Sequence, residues 1–279
     1  MNAHDLLCPL IAVWNLLKDF ANSNFASALI GSGAGALAGA AVVQRIIEKE
    51  RSKAALLNEI RGINAAIAIS ISIFNALINA KKQFIKPVKD LYETQKSTHS
   101  LHADGVRSGE IPSAIAFQFE ADLRNLPTPN LPLDALQNFI LEKTSLSNGI
   151  LNLFSTLKQG CLDLQGSIEK RNHLIEDYKT GKVAFSPELY FGLPLASVIN
   201  EDYPSLINAI YIQTENALYF THLLCAQLTK YGNIQANQCS NMYKIRPKIN
   251  YLDISDKEIK ALLPDGREYS SWEAAFPKD

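Results

Sequence analysis

Cysteine is scarce and scattered: Cys8, Cys161, Cys225 and Cys239 lie far apart and form no CxxC pair. That spacing excludes a disulfide framework and a zinc ribbon, and it suits free thiols in a reducing compartment. Charged residues make up only 20% of the 279 positions, 27 basic against 28 acidic. A formal net charge of −1 supplies no positive field for nucleic acid, so no such partner is expected. Hydrolase, metalloprotease and phosphate-loop signatures (GxSxG, HExxH, GxxxxGKS/T) are all missing, and no cofactor is implied. What the chain has is 47% hydrophobic residues, enough for a sizeable core.

The most informative stretch is Phe25 to Val43, nineteen residues without a charge. A helix needs about 20 such residues to cross a hydrocarbon core. Six of them are large and apolar (Phe25, Leu29, Ile30, Leu37, Val42, Val43), and the other thirteen are Gly, Ala or Ser. Gly31, Gly35 and Gly39 recur every fourth residue, so one helix face lets a second backbone approach closely. The run also contains Gly33-x-Gly35-x-x-Ala38, the outline of a dinucleotide fingerprint. That motif requires a second strand ending in an acidic residue, whereas Arg45-Ile-Ile-Glu-Lys-Glu-Arg-Ser-Lys53 is a charged helix former.

Lys and Arg follow the run (Arg45, Lys49, Arg51, Lys53), so the positive-inside rule places the short N-terminus outside and the C-terminal bulk in the cytoplasm, at an inner or plasma membrane. Residues 1–24 read as an amphipathic leader with a stripe of Leu6, Leu7, Leu10, Ile11, Trp14 and Leu17, in which Trp14 suits a headgroup boundary. A transmembrane helix is expected over 25–44 and a cytoplasmic helical bundle over 45–232.

Inside the bundle, Ile60, Ile63, Ile67, Ile71, Phe74, Ile78, Lys81, Ile85, Val88 and Tyr92 step by three or four. That is the seam of one long helix from Arg45 to about Gln95. Gly62 to Ala80 is uncharged and competes as a second membrane segment, but three asparagines and two serines favour a protein interface. A polar loop is expected at 96–113, a short helix at Ile115–Leu126 and a proline-rich break at 127–132. A second long helix then runs from an Asn130 cap to about Lys179, stops at Gly181, and pairs antiparallel with the first. A third spans about Tyr203 to Tyr231. After Gly232 a strand at Lys248–Ile254 and a hairpin around Asp265-Gly266 predict a small β appendage over 233–279, plugged by Trp272 and Phe276. The fold class expected is therefore mainly α: a transmembrane helix, an elongated antiparallel bundle or coiled coil, and a small C-terminal β hairpin.

Polar candidates are few. His99, His102 and Asp104 have a spacing that can clip a metal. Arg171, His173, Glu176 and Asp177 cluster on one helix. Arg171-Asn172-His173 resembles the start of the Arg…His pattern of helical HEPN-type ribonucleases, but Glu176, Asp177 and Tyr178 stand where that family has its histidine. The expectation is a non-enzymatic membrane-anchored scaffold, tether or signal-relay subunit that contacts lipid and forms homo-oligomers. A pore-forming effector and a helical enzyme such as a nuclease are the alternatives.

Overall fold

The computed structural model describes Lys18, residues 24–195 and residues 198–275. Trp14 and Phe276 lie outside the described residues, as does the burial of Gly31 and Gly35. The chain divides into two compact units, Met1–Leu56 and Leu57–Asp279. Within the described residues the fold is mainly helical, with one two-residue β pair.

Helix α1 is Asn24–Ala80 and passes into a π-helical turn, Lys81–Ile85, then α2, Lys86–Ser108. Pro87 explains the turn: it has no N–H, and its ring would strike the carbonyl one helical turn earlier, so the backbone widens ahead of it instead of breaking. The seam read from the sequence is buried at Ile60, Ile63, Ile67, Phe74, Ile78, Lys81, Ile85, Val88 and Tyr92. Gly62–Ala80, the competing membrane segment, spends its apolar face on this core.

The loop expected at 96–113 is a correction. α2 continues through it and ends at Gly109, whose φ of 80° is the left-handed conformation that releases a helix C-terminus. The short helix expected at Ile115–Leu126 is also absent. Residues 109–132 form a strap without helix, in which half-buried Phe117, Phe119 and Ala121 alternate with exposed Gln118 and Glu120, the period of extended chain, before buried Asp122.

Helix α3, Leu133–Glu142, and α4, Asn148–Lys179, replace the single expected helix. The end near Gly181 (φ 72°) is as expected. At the break, Gly62 of α1 leaves room for the Lys143 backbone: a Cβ there would lie 2.8 Å from the Lys143 carbonyl oxygen. Then come α5, Pro187–Phe191, and the antiparallel pair β1, Pro194–Leu195, and β2, Val198–Ile199, with Leu195 opposite Val198.

Helix α6, Asp202–Tyr243, packs mainly on α4. It runs past the expected stop because Gly232 is a packing residue: it is buried, and small Ala236 and Cys239 continue its stripe. The β appendage is the largest correction. Residues 248–254 are extended but pair with no strand, and 257–275 form α7, Lys257–Leu262, a 3-10 turn, Gly266–Tyr269, and α8, Ser270–Ala275. Asp256 and Asp265 accept from the amides two residues on, so these aspartates start helical turns and the Asp-Gly pair does not close a hairpin.

Helix directions follow from the contacts. Glu59 accepts from the Ser145 amide and the Tyr231 hydroxyl at one end, and Tyr92 meets Tyr190 and Tyr203 at the other. α1–α2 and α4 therefore run parallel, both antiparallel to α6, and the antiparallel pairing expected of the first two long helices is overturned. The strap makes this possible. It runs down α4 from Asn125 beside Glu176 to Pro129 beside Gln165, and α3 carries the return on past Lys158.

Candidate functional site

Three places can carry function: the N-terminal part of α1, and two buried polar hubs in the bundle. In α1, residues 39–50 are exposed, including Val42, Val43, Ile46 and Ile47 at 47–57% exposure. Four branched apolar side chains within six residues form a patch that water does not favour. Gly39 has nothing within 4 Å of where a Cβ would stand. Among the described residues, the helical stretch Gly39–Ser108 holds a window apolar enough to cross a membrane, but Arg45–Lys53 is too charged to belong to it, and half of that window is buried inside the fold as in a core helix.

Arg171 is the first hub. It occupies the core step between Ile168 and Ile175 and is fully buried, although periodicity would assign that place to an aliphatic residue. Its guanidinium donates to the carbonyl oxygens of Arg124 (2.8 Å) and Asp122 (2.9 Å) and to the Tyr203 hydroxyl (3.3 Å). Nε has no acceptor among the described residues. Beside it, Asn172 exchanges two 2.8 Å hydrogen bonds with the backbone of Leu126. The pair thus pins the strap to α4.

The Asp122 carboxylate faces the Arg124 guanidinium, which holds its pKa below the usual carboxylate range by hydrogen bonding. Around this hub Tyr190 stacks on Tyr203 with centroids 4.4 Å apart, and Tyr92, Phe119 and Phe191 close the cluster. Burial raises the Tyr92 and Tyr190 hydroxyls well above their ordinary pKa and pushes Tyr178 up to about 12. These phenols stay protonated at neutral pH, so they pack and donate and do not serve as bases.

The sequence-predicted polar residues are not brought together. His173 and Glu176 are exposed, Glu176 pairs with Lys179 and Asn125, Asp177 pairs with Lys182, and Arg171 points inward. His99 and His102 lie on α2, not in a loop, and both rings contact Phe117, while Asp104 pairs with Arg107. Among the described residues no group of three His, Cys, Asp or Glu side chains is placed to hold a metal ion. Burial pushes Cys161 and Cys225 up to about 12, which leaves them as unreactive thiols.

The second hub was missed in the sequence. Lys81, at the π-helical turn, is buried at 4% exposure and pairs with Glu215 of α6. It also donates to the Leu262 carbonyl (2.5 Å), and its ammonium lies 5.6 Å from the Tyr211 ring centre. The signal available was a lysine on an apolar seam, which demands a buried acid on a facing stripe. A shallow groove of about 360 Å³ between α3 and α4 is lined by Leu141, Leu151, Phe154 and Leu162. Its one ammonium, Lys158, is engaged by Asp134 and Gln137, so the groove offers no free reacting group.

No family model, no curated protein and no solved structure matches the chain. Function therefore rests on the molecule's own physical features.

Proposed function

We propose that the chain is a non-enzymatic, single-pass membrane protein that self-associates through its first helix and presents a cytoplasmic helical bundle as a scaffold, tether or relay. The observation that carries this reading is that one helix, Asn24–Ala80, holds both the uncharged run Phe25–Val43 and the first core residues of the bundle. The exposed Val42, Val43, Ile46 and Ile47 fit burial in lipid or against another copy, and the following Arg45, Lys49, Arg51 and Lys53 fit the cytoplasmic side. Gly31, Gly35 and Gly39 supply the close-packing face between copies, and Trp14 the interfacial anchor. On this reading Arg171 is a structural residue engaged by the strap, while Glu176 pairs with Lys179 and Asn125 and Asp177 with Lys182.

Replacing Gly31, Gly35 and Gly39 together with leucine is expected to lower the oligomer mass measured by light scattering in detergent. An unchanged mass contradicts self-association through this face. The thirteen small residues of the run also favour a weakly held span that can rearrange into a pore. Dye release from liposomes carrying the oligomer favours that second reading, and retention of dye removes it.

A further inference from the structure

The C-terminal arm, residues 244–275, is held by a site that reads main-chain atoms. Asn64 of α1 donates through Nδ2 to the Lys248 carbonyl (2.9 Å) and accepts through Oδ1 from the Asn250 amide (2.9 Å). Its carboxamide thereby brackets Ile249. Thr229 of α6 donates to the Asn250 carbonyl (3.2 Å). Ile249 is buried at 8% exposure and enters a notch that exists because position 232 is glycine. A Cβ there would lie 3.0 Å from Ile249 Cγ2 and 3.1 Å from Ile63 Cγ2. One anchor pocket flanked by side chains that pair with the backbone on both sides is the build of a site for an extended peptide.

The hinge that delivers the arm is strained and open. Lys244 has φ 59°, a left-handed conformation that crowds any residue with a Cβ. Ile245 and Arg246 are exposed, and Pro247 keeps the segment extended. Opening Lys244 to extended backbone relieves its crowding and points the same arm elsewhere.

We propose that this notch and bracket form a docking site for the Lys248–Asn250 segment of a second copy, with the chain's own arm as the occupant in the isolated molecule. Every contact made within one chain is available unchanged between two, so local concentration and hinge strain decide which forms. The inference rests on the self-association reading, which brings arms of neighbouring copies within reach.

The test replaces Tyr251, 63% exposed beside the bracket, with a benzophenone amino acid in full-length chains carrying two different tags. The co-expressed mixture is illuminated in detergent, and its mass is read by light scattering. The expected result is an adduct joining the two tags. Gly232→Val, which fills the notch, abolishes it. Asn64→Ala leaves the notch open and lowers it roughly two-fold, as expected for solvent-exposed hydrogen bonds that compete with water. Helicity by circular dichroism confirms that both variants are folded. Oligomers whose adducts stay within single chains overturn the exchange and leave self-association standing. Monomers with adducts confined to single chains overturn both. A cross-tag adduct that survives in folded Gly232→Val overturns the exchange, because mere proximity then explains it.

Discussion

The strap at 109–132 and the start of the arm, residues 244–256, are both non-helical segments laid on helices, and each is gripped by an asparagine that pairs with its backbone. Asn172 holds Leu126, and Asn64 holds the peptides on either side of Ile249. They differ in what lies beneath. The strap is tied into the chain at both ends and sits over the fully buried Arg171, whose fork of donors satisfies two of its carbonyls. The arm leaves α6 through a left-handed hinge, and although buried Lys81 holds its Leu262 carbonyl, several of its other contacts, including Lys82 with Glu258, face solvent. The same local device therefore makes a permanent part of the core in one place and a displaceable element in the other. Burial, more than the hydrogen bonds themselves, sets that difference.

The sharpest way to break the comparison is to remove the buried donor. Arg171→Met leaves the Asp122 and Arg124 carbonyls without a partner and is expected to cost about 4 kcal/mol, read as a lowered midpoint in denaturant unfolding. Next come the two asparagines. Asn172→Ala is expected to cost about 1.5 kcal/mol, and Asn64→Ala about 0.5 kcal/mol, because the arm's bonds compete with water. Equal costs would dissolve the contrast.

Acid separates the strap, through Asp122, from α6, which carries His222, more gently. Asp122 has a folded pKa below its ordinary 3.8, so its contribution is present above that value and is lost as pH falls through the folded pKa. His222, pushed below 6.5 by burial, is protonated first in the unfolded chain, so stability declines as pH falls below 6.5. Thermal midpoints against pH are expected to fall in two steps, the lower absent in Asp122→Asn and the upper in His222→Gln. The smallest effect belongs to the solvated pair: Lys82→Ala is expected to leave the midpoint unchanged within error.

Periodic burial made the bundle legible. The seam from Ile60 to Tyr92 is buried as spaced except at half-buried Ile71, and Ile150, Leu153, Leu157, Cys161, Leu164, Ile168 and Ile175 are buried at the same three- and four-residue steps or their sum, as a helix face requires. Extended segments gave weaker signals. Phe117 and Phe119 alternate with polar neighbours, yet their apolar content also fits a short helix, and only contact with Tyr190, Phe191 and the α2 histidines settles the matter. Gly232 carries the sequence mark of a helix end while serving as a notch, a distinction that depends on Ile63 and Ile249 approaching from distant parts of the chain. Lys81 was placed on its seam correctly, but Glu215 becomes its partner only through helix pairing. The parallel course of α1 and α4 is equally non-local, because it depends on the path that the strap and α3 take back along α4.

The central claim is that the uncharged run at the start of α1 resides in lipid. Alkaline carbonate extraction of membranes from cells making the full chain tests it most directly. The protein is expected to remain in the membrane pellet. Quantitative release into the carbonate supernatant would contradict the account.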